Sequence, residues 1–357
     1  MNNIVPTMEN FKKVIKEKEV VIFCAGEYCM RFLNRLDVED IMRIRFIVDN
    51  DKEKQGTTLY GLPIKSPAEI ETLNPSNTLI VIAVENSIPE IYKQICDMGS
   101  FSIMSARILI NDILTQVAEG LFKGQDEIKK VTDLLYDEKS KWIYNEAIRR
   151  RMLYGECDFR DLIVRGDAEY RIPLMYNKAK PKDEIIIDCG AYNGDTLKKF
   201  AETYGPALKK IYLFECMEES IQELSFAMIR VKNKKFYPDM VLMPYALSDY
   251  ESKMKFAKTI KPDGSFLVGN REFAQSALYE SDYVDVDVTT LDKVIPDDEK
   301  ITLIKMDIEG SEYAALHGAE RIITTCKPKL AISLYHCGED YYRIPLYLKS
   351  LVPEYKF

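Results

Sequence analysis

Two rhythms of apolar and polar residues alternate along this chain. Short apolar runs closed by charges or turn residues lie at 19–23, 44–48, 79–84, 102–105, 185–187, 211–214, 240–243, 302–306 and 329–335. They predict strands buried on both faces, as in parallel sheets. Between them the spacing becomes helical. Phe11, Val14 and Ile15 share one side of 8–18, and 88–98 reads as a helix. Leu197, Phe200, Ala201 and Tyr204 fall at i, i+3, i+4 and i+7, and Ile221, Leu224 and Met228 mark another helix. Strands alternating with helices predict an α/β chain. Residues 110–156 keep only the helical rhythm, with Ile128, Val131 and Leu134 on one stripe and Trp142, Ile143, Ala147 and Ile148 on another. The expected organisation is a smaller N-terminal Rossmann-like α/β domain at 1–108, a helical connector at 109–165, and an α/β domain at 166–357 with helices on both faces of its sheet. Residues 253–256 and 283–288 alternate apolar with polar, which predicts a β insertion between the third and fourth strands of that last domain.

Composition narrows the classes. A chain of 357 residues with 46% hydrophobic content can bury two or three cores. Its net charge of −8 and the absence of a long basic run argue against a nucleic-acid partner. Eight cysteines without C-x-x-C spacing read as reduced thiols in a cytoplasmic protein. No apolar run approaches the roughly 20 residues of a membrane helix, and the first 18 residues hold no apolar core of a secretion signal. Arg149-Arg150-Arg151 can grip a phosphate, although such a run is usually a solvated helix face.

The chemistry concentrates at Ile185-Ile186-Ile187-Asp188-Cys189-Gly190-Ala191-Tyr192-Asn193-Gly194-Asp195-Thr196. A buried strand runs into a turn where Gly190 and Gly194 permit positive φ and leave room for a ligand, while Asp195 and Thr196 are placed to cap the next helix. The arrangement presents free N–H groups at the carboxyl end of a strand, where open α/β sheets bind ligands. A dinucleotide site would read G-x-G-x-x-G. This turn reads D-x-G-x-x-x-G-D, and Asp188 and Asp195 suit a ligand with an amino group and positive charge better than phosphates. The next strand ends in Glu215, where a carboxylate can accept both hydroxyls of a ribose.

At these residues the chain resembles the class I S-adenosylmethionine-dependent methyltransferases. Pro244-Tyr245-Ala246-Leu247-Ser248-Asp249 after the third strand, and the K-x-D-x-E-G-x-E signature of Lys305, Asp307, Glu309, Gly310 and Glu312, narrow the likeness. Residues 165–357 resemble the FkbM methyltransferases, many of which methylate oxygen. The resemblance implies a class I Rossmann-like sheet, S-adenosyl-L-methionine as cofactor, and a sugar, glycan or related small-molecule hydroxyl as acceptor. Carried onto this sequence, Asp188, Gly190, Ala191, Tyr192, Asn193, Gly194, Asp195, Thr196 and Glu215 hold the cofactor, with Ala246 and Ser248 near the adenine. Asp307 and Glu309 orient either the methionine amino group or the acceptor hydroxyl. Tyr170 and Tyr176 can fold over the cofactor, although aromatics before a strand more often just pack, and the turn at 261–265 can order over the substrate. The family fold usually ends in an antiparallel strand pair, so this sequence stops early or leaves its sheet edge incomplete.

His336 is the candidate catalytic base, at the end of the last strand, because imidazole titrates near neutral pH. Its alternative is a hydrogen-bonded structural histidine. His317, before Gly318, reads as a helix-end cap. Asp307, Glu309 and His336 are donors that suit a divalent cation, but no fourth ligand is evident by spacing and no metal is assigned. Glu312 either pairs with a base or binds substrate.

Cys24-Ala25-Gly26-Glu27-Tyr28-Cys29 follows the first strand, and Asp49 ends the second. This unit resembles nucleotide- or sugar-nucleotide-type Rossmann domains of surface-polysaccharide enzymes. Cysteines stand at the first and third glycine positions, so nucleotide binding competes with a degenerate domain used for docking or for forming an oligomer. Two further readings of the whole chain stay open. One is a non-catalytic scaffold that binds nucleotide or S-adenosylmethionine in polysaccharide biosynthesis. The other is a nicotinamide-dependent oxidoreductase, which the flawed glycine patterns disfavour.

Overall fold

The computed structural model describes residues 5–154, 159, 161–162, 183–233, 237–257, 266–267 and 283–357. The chain divides into two compact units, Met1–Leu162 and Ile163–Phe357. Tyr170, Tyr176 and the turn at 261–265 lie outside the described residues.

In the first unit, β1 (Glu19–Phe23), β2 (Ile44–Val48), β3 (Thr58–Leu59), β4 (Leu62–Lys65), β5 (Thr78–Ile82) and β6 (Ser102–Ser105) form one sheet in the order β3-β4-β2-β1-β5-β6. All neighbours are parallel except the β3-β4 hairpin, which accounts for the turn-rich sequence at 55–64. Every residue of β5 is buried, as a strand covered on both faces requires. Helix α1 (Met8–Val14) seats Phe11 edge-on against Phe32 of α2 (Glu27–Leu33), with ring centroids 5.4 Å apart. Further along, α3 (Val38–Ile41), α4 (Ile88–Met98) and α5 (Ala106–Leu109) complete the α/β layers. The helices read as a connector, α6 (Asp112–Lys123), α7 (Gln125–Leu134) and α8 (Glu138–Tyr154), fall within this unit. The Arg149–Arg150 pair on α8 is not a free basic face. Arg150 sends its guanidinium to Asp161 at 2.6 Å and to Glu146 at 2.8 Å, and Arg149 shares Glu146.

In the second unit, β7 (Glu184–Cys189), β8 (Leu208–Phe214), β9 (Asp239–Met243), β14 (Leu303–Met306) and β15 (Lys329–Ile332) make a parallel sheet in the order β15-β14-β7-β8-β9. Successive residues of β7 point to opposite faces. Ile186 packs with Leu197 and Phe200 of α9 (Asp195–Tyr204) and Leu224 of α10 (Glu218–Lys232). Ile187 joins the other face, with Leu291 of α11 (Leu291–Val294), Leu316 of α12 (Glu312–His317), Ile323 of α13 (Glu320–Cys326) and Ile344 of α14 (Asp340–Leu351). The expected β insertion is a second sheet, in the order β10-β13-β11-β12, from β10 (Ala246–Leu247), β11 (Ser252–Ala257), β12 (Phe266–Leu267) and β13 (Tyr283–Thr289).

Two local expectations are corrected. Gly194, at φ 83°, is the N-cap of α9; Asp195 is already helical and no side chain caps the helix. β15 ends at Ile332, so His336 lies beyond the strand rather than at its end. The ladder reaches one residue further, with Ser333 N–H donating to the Met306 carbonyl, before Tyr335 and His336 turn toward the acids after β14.

Candidate active site

Chain direction across the five-stranded sheet reverses between β7 and β14. From β7 the order runs through β8 to β9, and the chain then returns to the far side of β7 to lay down β14 and β15. Beyond the carboxyl ends of the two strands that flank such a reversal, nothing closes the crevice, and ligands bind there. The turn after β7 and the loop after β14 meet at this point. Gly190, at φ 79°, lies so close to the Asp307 carbonyl that a Cβ would collide with it. Gly194 plays the same part against α10, where a Cβ would stand 2.5 Å from Ala227 Cβ. The two glycines thus serve close packing of the turn as well as its backbone angles.

A cavity of about 380 Å³ opens here. Tyr192 from the turn, Asp195 and Thr196 from the start of α9, Glu215 and Met217 after β8, Ala246 and Leu247 of β10, and Asp307 and Glu309 after β14 line it. Of the residues singled out from the sequence, Gly190, Tyr192, Asp195, Thr196, Glu215, Ala246, Asp307 and Glu309 therefore share one space. Ala191, Asn193 and Gly194 shape the turn without standing on the wall. Ser248 is buried elsewhere, its N–H bonded to the Thr289 carbonyl and its hydroxyl to Asp249.

Glu215 is held by two backbone donors, Tyr192 N–H at 3.0 Å on Oε2 and Met217 N–H at 2.8 Å on Oε1. Burial pushes its carboxyl above the ordinary glutamate value, against the pull of those amides. Asp188 is fully buried and off the wall, and Lys305 meets it with Nζ 3.0 Å from Oδ1. Asp188 therefore stands behind the cavity wall, with its charge facing that of Lys305. The same ammonium donates to the Gly190 carbonyl at 2.8 Å. Burial disfavours the ammonium, but Asp188 and then Asp307 outweigh it and raise the Lys305 pKa.

His336 sits behind the acidic wall with 7% of its side chain exposed. Nε2 lies 3.3 Å from Glu309 and 3.6 Å from Asp307, and Nδ1 lies 3.0 Å from Glu312. Burial lowers its pKa, yet Glu309 and Glu312 more than reverse this and bring it to about 9. His336 is not part of the cavity wall, which Asp307 and Glu309 line in front of it. Glu312 also accepts the Ile308 N–H at 2.9 Å, which fixes the loop after β14. His317 lies 3.4 Å from Glu320 and against the Tyr347 ring, away from this wall.

Lys305, Met217, Tyr245 and Tyr335 are among the wall residues for which the sequence alone suggested no role at the site. Lys305 carried a signal: a lysine inside an apolar strand needs a buried partner. Tyr335 did not, because its role rests on its hydroxyl reaching Asp307 at 3.2 Å.

The corresponding turn of the first unit is committed internally. Asp49 Oδ2 accepts the Ala25 N–H at 2.7 Å and Lys54 at 3.2 Å, while Oδ1 accepts the Asp51 N–H. Burial raises the Cys24 and Cys29 thiols to about 12.

Residues 188–355 match the family model described as the methyltransferase FkbM domain, and residues 16–108 match that described as C2185-like, N-terminal. The likeness of the first unit to surface-polysaccharide enzymes is not among these matches. Among solved structures, the chain is similar to the methyltransferase FkbM from Methylobacillus flagellatus KT, at 20% identity and a TM-score of 0.59, over 100% of this chain and 91% of that one. At that identity the likeness is one of fold. No curated protein matches the chain. Among the described residues, no helix is long and apolar enough to cross a membrane. The span that matches the methyltransferase FkbM domain lies within the second unit and includes the Lys305 to Glu312 signature.

Proposed function

We propose that the second unit uses S-adenosyl-L-methionine to methylate a hydroxyl of a sugar, glycan or related small molecule. The observation that carries this reading is the cavity at the sheet's reversal, which joins the Glu215 carboxylate, an apolar wall and an acidic wall in one space. Its size falls within the roughly 300–1,000 Å³ of small-molecule sites.

The donor set fits the cofactor. Each Glu215 oxygen accepts one backbone N–H and retains a further lone pair, so the side chain keeps capacity for two ribose hydroxyls. Met217, Ala246 and Leu247 offer apolar surface to a nucleobase. Asp307 and Glu309 supply negative charge for an ammonium group, because the nearby Lys305 is engaged by Asp188 and Gly190. When bound, the cofactor supplies an electrophilic methyl group on a sulfonium. The chain's own task is to hold an acceptor oxygen in line with that methyl and keep water out, which supplies much of the rate in such displacements.

Asp307 or Glu309 then receives the acceptor proton, since both line the cavity. His336, buried behind them, is a positioning residue in this reading rather than the base. Calorimetric titration with S-adenosylhomocysteine, with reduced nicotinamide cofactor as control, tests the first step. Labelled methyl transfer to a panel of sugars and glycans tests the second. Absence of S-adenosylhomocysteine binding would overturn the cofactor, and binding without transfer to any acceptor would leave a scaffold instead of an enzyme.

A further inference from the structure

We infer that Asp307, Glu312 and His336 form a binding site for one divalent cation of the Mg²⁺ or Mn²⁺ class at the acidic wall of the cavity. Three separate elements bring these residues together: the loop after β14, the first residue of α12 and the turn after β15. One ligand atom from each lies within 4.8 Å of the other two, a span that the ligands of a single ion can occupy.

The buried carboxylate of the cluster supplies independent support. Glu312 is completely buried; Oε1 takes the Ile308 N–H, but Oε2 has no hydrogen-bond partner. The His336 ring is nine-tenths enclosed, and its nitrogens lie 3.3 Å from Glu309 and 3.0 Å from Glu312. Buried polar atoms in folded proteins are otherwise almost always satisfied, so a fully buried carboxylate oxygen without a partner points to a missing one.

Charge gives the partner its sign. Asp307, Glu309 and Glu312 converge on one imidazole, and a single proton on that ring offsets only one of the three carboxylates. Lys305, an ammonium on the same cavity wall, is held by Asp188. A donor set dominated by carboxylate oxygen with one imidazole suits a hard to borderline dication. Glu309 stands beside the set, and Asp307 faces the cavity, so an ion here would keep coordination positions open toward it.

The test needs neither cofactor nor acceptor, which separates its failure from failure of the methyl-transfer reading. The full chain, stripped with a chelator, is titrated with Mn²⁺ while the electron paramagnetic resonance signal of the free aqua ion is followed. The expected result is one Mn²⁺ bound per chain, with affinity at least about tenfold weaker in Glu312→Gln and in Asp307→Asn. Asp307 is half-exposed, so its variant serves even if the buried Glu312→Gln fails to fold. An undiminished free-ion signal with the unaltered chain, or unchanged affinity in a folded variant, would overturn the site.

Discussion

Lys305 Nζ lies 3.0 Å from Asp188 Oδ1, and the two residues stand directly opposite each other on β14 and β7. The pair locks together the two strands whose ends frame the cavity. Replacing Lys305 by Met leaves a fully buried carboxylate without its counter-charge, and loss of about 3–5 kcal/mol of stability is expected. Adding Asp188→Asn to that variant should recover most of the loss. Urea unfolding followed by circular dichroism checks both, and equal stability of the single and double variants would rule out the coupling.

Glu215 holds the glycine turn through the Tyr192 N–H and faces the cavity, so its loss acts twice. Glu215→Ala should weaken S-adenosylhomocysteine binding by about 1.5–3 kcal/mol, the range for hydrogen bonds to a charged group. Glu215→Gln, which keeps one acceptor oxygen, should fall between. Calorimetry that gave both variants the affinity of the unaltered chain would remove Glu215 from the cofactor site.

Glycines at the two corresponding turns should differ in tolerance. Gly190→Ala places a Cβ against the Asp307 carbonyl at a positive φ, and should cost more than about 3 kcal/mol and abolish ligand binding. At Gly26, φ is −105° and nothing lies within 4 Å of the added methyl, so Gly26→Ala should change stability by less than about 1 kcal/mol. Thermal melts of the two variants make the comparison.

Glu146 accepts from Arg149 at 2.7 Å and from Arg150 at 2.8 Å, and these bonds, against some burial, hold its pKa at about 2 instead of 4.5. A depressed folded-state value stabilises above the unfolded pKa. The contribution is therefore complete above about pH 4.5 and disappears as pH falls toward 2. After allowance for solvent screening, about 1–2 kcal/mol is expected at neutral pH. The fluorescence of Trp142, the chain's one tryptophan and a neighbour on α8, reports unfolding of this unit. Glu146→Gln should lower the urea midpoint at pH 7, and the gap should close by about pH 2. A gap of constant size across that range would mean that the glutamate charge contributes nothing.

The sequence by itself determined the alternation of strands and helices, because residues such as Ile186 and Ile187 must bury both faces of a strand and can do so only in a covered parallel sheet. It also determined the turn at Gly190 and the order in which Glu215, Asp307 and Glu309 follow it, since each lies just beyond an apolar run. Those signals are local in the chain. What each charge faces is not. Only the tertiary structure decided that Lys305 cancels Asp188, that Ser248 leaves the cavity and that His336 is walled in by three carboxylates. β14 and β7 are neighbours in space while 116 residues separate Lys305 from the Cys189 carbonyl it approaches. A side chain's chemistry is set by the partners within a few ångströms of it, and long-range strand pairing is what chose those partners.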